Sequence, residues 1–127
     1  MRISIIIPVF NEQATIAEVL ARVLAVDLDK QVIVVDDGST DGTSKLLEEW
    51  GTRQPEWVTV QRHAKNQGKG VAIRTGLAEV TGDCVIIQDG DLEYDPRDYS
   101  RLLAPLIAWS IVTYGWRPTA FASGIAI

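Results

Sequence analysis

The sequence predicts an α/β domain with a mostly parallel, doubly wound sheet flanked by helices, and three observations predict it. The runs Val32-Ile33-Val34-Val35 and Cys84-Val85-Ile86-Ile87 have almost no polar alternation, the pattern of strands covered on both faces. Strand and helix signals alternate along the chain. Both apolar runs end in acidic loops, Asp36-Asp37-Gly38-Ser39 and, through Gln88, Asp89-Gly90-Asp91. Right-handed crossovers put such strand ends at one edge of the sheet.

The elements follow in order. Ile3 to Val9, rich in isoleucine, reads as the first strand. Thr15-Ile16-Ala17-Glu18 fits a capping box, and Ile16, Val19, Leu20, Val23 and Leu24 follow at helical spacing. Gln31 to Asp36 is the second strand, and a helix is expected to start near Asp41 or Thr43, to bury Leu46, Leu47 and Trp50, and to end before Pro55. Trp57 to Gln61 reads as a third strand with Val58 and Val60 on one face. Asn66-Gln67-Gly68-Lys69-Gly70 opens a helix through Val71, Ala72, Ile73 and Leu77, closed by Thr81-Gly82. Cys84 to Gln88 is the fourth strand, and a helix is expected from Asp98 to Ile107, after Pro96. Trp109 to Tyr114 is a further strand candidate. Pro118 to Ile127 is small, apolar and incoherent, so the chain is expected to be either a fragment lacking an acceptor-shaping half or one with an altered reading frame near its end.

The 127 residues suffice for one domain, and 46% hydrophobic with 23% charged residues describes a globular protein. A net charge of -5 argues against a broad nucleic-acid surface, which needs clustered Lys and Arg, but leaves room for an anionic nucleotide bridged by a divalent cation. The single cysteine, Cys84, falls in a buried strand and reads as a small hydrophobe. The chain reads as intracellular, since no signal peptide is evident and no internal disulfide can form. The uncharged stretch from Leu102 to Trp116 contains Pro105 and is shorter than a membrane helix; a peripheral membrane contact is the lesser alternative to a place in the core. A shortened sheet with an apolar tail invites self-association as a homo-oligomer.

Asp89 and Asp91 lie where a buried strand reaches solvent, the region beyond strand carboxyl ends where such sheets bind ligands. Hard oxygen ligands at i and i+2 suit Mg2+ or Mn2+ shared with a substrate phosphate, and Gly90 leaves room for a phosphate or sugar to approach. Asp-Gly-Asp is also ordinary turn chemistry. The second acidic strand end favours a site, because carboxylates gathered at one edge repel unless a cation or hydrogen-bonding ligand joins them. Lys69 opens a helix between two glycines. The P-loop spacing is absent, yet the helix amino terminus and the lysine suit a diphosphate, against the alternative of an exposed lysine on a tight loop. Asp36 reads as a cap, Ser39 and Thr40 as loop or cap residues, and His63 as a polar loop residue.

Four segments taken together, Ile5-Ile6-Ile7-Pro8-Val9-Phe10-Asn11-Glu12, Val34-Val35-Asp36-Asp37-Gly38-Ser39-Thr40-Asp41-Gly42-Thr43, Asn66-Gln67-Gly68-Lys69-Gly70 and Gln88-Asp89-Gly90-Asp91, resemble the family 2 glycosyltransferases with a GT-A fold. Leu92-Glu93-Tyr94-Asp95-Pro96 is most similar to the branch with dolichol-phosphate mannose synthases and other polyprenyl-phosphate sugar transferases. The resemblance implies the nucleotide-binding half of a GT-A, Rossmann-like domain. It assigns the nucleotide to Pro8, Phe10 (where tyrosine is common), Glu12, Val35 and Asp37. It assigns the donor diphosphate and its Mg2+ or Mn2+ to Asp89, Gly90 and Asp91, with Glu93 as a further metal ligand and Asp91 as the catalytic carboxylate. Tyr114-Gly115-Trp116-Arg117 is faintly similar to a stretch whose arginine, here Arg117, meets nucleotide phosphates.

The implied reaction is inverting transfer of a hexose from a UDP- or GDP-linked donor to a polyprenyl phosphate or glycan acceptor, in the cytoplasm or at the cytoplasmic face of a membrane. Two other readings compete: a non-catalytic nucleotide-binding module, and a nucleotidyltransferase. The second lacks its glycine-rich basic signature, since Pro8 to Glu12 is acidic and glycine-free. Asp37 suits the N-H of either uracil or guanine, which leaves the base open.

Overall fold

The computed structural model describes residues 2–92, 95–101, 103–104 and 124–126. Five parallel strands, β1 (Ile3–Val9), β2 (Lys30–Asp36), β3 (Val58–Arg62), β4 (Cys84–Ile87) and β5 (Gly124–Ala126), form one sheet in the order β3-β2-β1-β4-β5. The crossovers carry α1 (Ile16–Ala25), α2 (Thr43–Arg53) and α3 (Lys69–Leu77). The mostly parallel, helix-flanked sheet read from the sequence is therefore the fold. The expected strand at Trp109 to Tyr114 lies outside the described residues, as do Glu93 and Arg117. Past a short 3-10 turn at Pro96–Asp98, residues 99–101, 103 and 104 are helical.

The pleat explains why the strands lack polar alternation. Ile3, Ile5, Ile7, Val9, Val32 and Val34 face one way, into a core closed by Ile16, Val19, Leu20 and Val23 of α1 and Leu47 of α2. Ile6, Ile33, Val35, Val85 and Ile87 face the other way, onto Ala72 of α3. Both faces are covered, and each large strand side chain buried in this way contributes roughly 1.5–3 kcal/mol. Leu46 and Trp50 are only partly buried against the first core. Cys84 is 3% exposed, and burial pushes its thiol up, consistent with the packing role expected of it.

Several local expectations are corrected. The capping box at Thr15 does not form, because no side-chain bond caps α1; Glu18 instead pairs with Arg22 at 2.6 Å. Lys30 extends β2 by a residue: its stem is buried and its ammonium donates to Val26 O at 2.5 Å, with the Trp57 ring centroid 5.8 Å away. Trp57 itself precedes β3 and is exposed. Leu77, at the end of α3, is also exposed, leaving Ala72 and Gly76 as the buried residues of that helix. Among the described residues no helix is long and apolar enough to cross a membrane.

Candidate functional site

The carboxyl ends of β1, β2 and β4 meet at one edge of the sheet, and three loops leave it there. Asp37 N-H donates to Val9 O at 2.8 Å, and Gln88 N-H to Ile6 O at 2.9 Å, so the ladders run on past the strands and hold all three loops together. Asn11, at φ 52°, accepts on its amide oxygen from the backbone N-H groups of Thr40 (2.8 Å) and Asp41 (3.3 Å), while its own N-H donates to Ser39 Oγ at 3.0 Å. Ser39 and Thr40 are thus loop residues that fasten the first loop to the second. Asp36 is buried and also structural, accepting from Ser39 N-H at 2.9 Å and from the Ser44 hydroxyl.

Between these loops and the start of α3 lies an open cavity of about 440 Å3, lined by Pro8, Val9, Phe10, Glu12, Asp37, Asn66, Gly68, Lys69, Ala72, Asp89, Gly90 and Asp91. Eight residues singled out in the sequence, Pro8, Phe10, Glu12, Asp37, Lys69, Asp89, Gly90 and Asp91, are brought together here. Val35 is not: it is fully buried in the core beside Ile33 and Ala72, since the pleat that turns Val34 toward α1 and α2 turns Val35 toward α3. Phe10 is an exposed apolar face at the cavity wall.

The Asp-Gly-Asp loop is anchored from two sides. Thr15 Oγ1 lies 2.8 Å from Gly90 O and 3.1 Å from Glu12 Oε2, one proton between two acceptors, which ties α1 to the loop. Gln88, 1% exposed, accepts from Tyr99 O-H at 2.7 Å, and burial raises the Tyr99 phenol well above its usual range. The room expected over Gly90 is partly taken, because a Cβ there would meet Glu12 Cγ and Val9 Cγ2 at 3.3 Å. The glycine lets the loop close on the first strand end.

Lys69 Nζ sits 2.6 Å from Asp89 Oδ1, so a cation already rests on this carboxylate. Among the described residues no third His, Cys, Asp or Glu completes a metal-holding group with the aspartates. Two carboxylates fit Mg2+ or Mn2+ when a substrate diphosphate and water supply the remaining oxygens.

Asp37 has partners the sequence reading missed. Its Oδ1 accepts from His63 Nδ1 at 2.7 Å and Gln67 N-H at 2.9 Å, and its Oδ2 from Gly68 N-H at 2.8 Å. Burial opposes its charge, but the hydrogen bonds from His63, Gln67 and Gly68 prevail and hold its carboxyl below the usual carboxylate range. His63 is no loose loop residue: its Nε2 lies 2.8 Å from Thr75 Oγ1 of α3. Gly38, at φ +74°, admits this arrangement, since a Cβ there would come within 2.4 Å of Lys65 C and 2.5 Å of Asn66 N. The backbone leading into α3 is stacked directly on it.

Known proteins resemble this chain in sequence and fold. An undecaprenyl-phosphate 4-deoxy-4-formamido-L-arabinose transferase of Klebsiella pneumoniae is 36% identical over 107 residues, covering 81% of this chain and 33% of that protein. The chain therefore spans about a third of the length of the curated relatives it matches. A mannosyltransferase of Pyrobaculum calidifontis, solved with GDP-Man and Mn2+, superposes with a TM-score of 0.71 at 32% identity over 85% of this chain and 32% of its own. Glucosyl-3-phosphoglycerate synthase of Mycobacterium tuberculosis, solved with Mn2+, UDP and glucosyl-3-phosphoglycerate, does so with a TM-score of 0.64 at 32% identity over 82% of this chain and 39% of its own. The family model described as Glycosyl transferase family 2 matches residues 4–125, and with the GT-A neighbours it establishes that the chain belongs to that family.

Proposed function

We propose that this domain binds a nucleotide-sugar through a divalent cation and serves inverting transfer of the sugar to a polyprenyl phosphate. The observation that carries the reading is the convergence of Asp89, Asp91, Lys69 and Asp37 on one cavity at the strand carboxyl ends. The polyprenyl-phosphate acceptor rests on the named activity of the bacterial relatives, and the metal on the Mn2+ in the two solved relatives. Such an acceptor lies at a membrane, which favours a site of action at a membrane surface.

Asp89 and Asp91 would hold Mg2+ or Mn2+, with Glu93 as a further ligand by resemblance. When bound, the cation supplies Lewis-acid stabilisation of the charge that gathers on the leaving nucleoside diphosphate. Lys69 adds a second positive charge at the same phosphates once it leaves Asp89, and Arg117 a third by resemblance. Phe10 offers its ring, and Pro8 and Glu12 their surface, to the nucleoside. Asp37 accepts an N-H of the base. A phosphate acceptor is already an anionic nucleophile, so attack on the anomeric carbon opposite the leaving group inverts the centre without a general base.

Calorimetric titration with UDP and GDP, with and without Mn2+, tests the reading. Nucleotide binding is expected to need both Mn2+ and the aspartates, and to vanish in an Asp89→Ala, Asp91→Ala double variant. Binding indifferent to the metal or to the double substitution would sink the metal-dependent mechanism. A polyprenyl-phosphate assay for sugar transfer then separates an active transferase from a donor-binding module, which binds but turns nothing over.

A further inference from the structure

We infer that His63 is a positioning residue that leaves the Asp37 carboxylate one open acceptor lobe, and so fits the site to a uracil base rather than a guanine. The inference deepens the donor-site reading above and rests on it. The solved relatives include one holding a guanosine and one holding a uridine diphosphate, so membership of the family does not choose between them.

An ionised carboxylate has about four lone-pair sites, two on each oxygen. Oδ1 of Asp37 spends both, on His63 Nδ1 and on the backbone of Gln67. Oδ2 spends one on the backbone of Gly68, which leaves a single lobe. Because an ionised carboxylate only accepts, Nδ1 of His63 carries the proton of that bond, while Nε2 is held by the Thr75 hydroxyl at 2.8 Å. Held at both nitrogens and with a side chain only 10% exposed, the imidazole has no freedom to release Oδ1.

Guanine offers a parallel pair of donors, N1-H and N2-H, which matches a carboxylate only when both oxygens are open. With Oδ1 full, one of the two donors would be left unpaired against the Asp37 carboxylate, itself only 4% exposed, a mismatch that discriminates by roughly tenfold or more. Uracil offers the single donor N3-H, which one lobe satisfies. Its flanking carbonyls need donors, and the Asn66 amide is at the same cavity wall.

The test is calorimetric titration of UDP and GDP at saturating Mn2+ into wild type, His63→Leu and His63→Asn, with thermal melts to confirm folding. Wild type is expected to bind UDP at least about tenfold tighter than GDP. His63→Leu frees a lobe of Oδ1 and brings the UDP:GDP ratio toward unity. His63→Asn, whose amide N-H can take the place of Nδ1-H, restores the ratio. A general loss of structure would weaken both nucleotides alike and leave the ratio unmoved, so an unmoved ratio in a folded His63→Leu overturns the role of His63. Should the leucine variant not fold, Thr75→Val is read in its place, with the ratio expected to fall. Equal or tighter binding of GDP by wild type overturns the choice of base while leaving the donor site standing. Binding of neither nucleotide to folded wild type overturns both readings together.

Discussion

Hydrogen bonds hold the Asp37 carboxyl below its ordinary pKa although burial pushes the other way, and the sign of its pH dependence follows. Its folded pKa lies below the ordinary carboxylate value of about 4, so the stability tied to its charge is complete above about pH 4 and is lost as pH falls through the lower folded value. The urea midpoint of wild type is expected to fall more steeply below about pH 4 than that of Asp37→Asn. A matching slope in the two proteins would show that the carboxylate carries no such linkage. At this scale the sequence was legible for Asp89 and Asp91, because an apolar strand running into Asp-Gly-Asp announces its own edge. It was not legible for His63, which lies 26 residues from Asp37 in the chain. The β2 to β3 register, which pairs Asp36 with Arg62, is what sets the next residues, Asp37 and His63, side by side. That register is a property of the assembled sheet, and no local pattern around His63 encodes it.

Among the elements, the loops into α1 and α3 matter most. Gly38→Ala would force a Cβ into the backbone of Lys65 and Asn66 at a positive φ, neither of which a side-chain rotation relieves. Its expected cost is on the order of 2–4 kcal/mol, read as a lowered denaturation midpoint, with loss of nucleotide affinity. A near-neutral substitution would mean that the 65–66 backbone yields. Thr15→Val removes the bond from α1 to Gly90 O and is expected to cost about 1 kcal/mol and to weaken Mn2+-dependent nucleotide binding, measured by melts and calorimetry in one preparation. The same threonine marks a limit of reading by pattern. Ser/Thr-x-x-Glu signals a capping box, but here the hydroxyl finds a tertiary partner 75 residues away, and Glu18 finds Arg22. Helix α1 itself was legible because its apolar stripe, not its cap, defines it. The third strand and Leu77 were less so, because short edge segments and last turns are set by what packs on them.

For the whole molecule, the doubly covered sheet was legible in the strands' lack of alternation, and the gathering of acidic loops at one edge followed from handedness. On the proposed reading, ligand and metal would join loops from three strands, and their occupancy would stabilise the domain globally. At a nucleotide concentration of about 100 Kd with Mn2+, a gain of about 2.7 kcal/mol is expected, which for a domain of this size raises Tm by several degrees. No shift with nucleotide and Mn2+ together would mean that the cavity is not a binding site. The strand order has a different sort of consequence. β1 is made first, yet it occupies the middle of the sheet, between β2 and β4. As the chain leaves the ribosome, β2 and β3 can dock on one side of β1 while its other edge stays bare until Cys84–Ile87 emerges. Through that interval the nascent protein displays an isoleucine-rich strand with unpaired amides, a hazard for aggregation that ends only when the segment preceding the Asp-Gly-Asp loop arrives. Covering the second edge of β1 and assembling the site are therefore one event in the life of the chain.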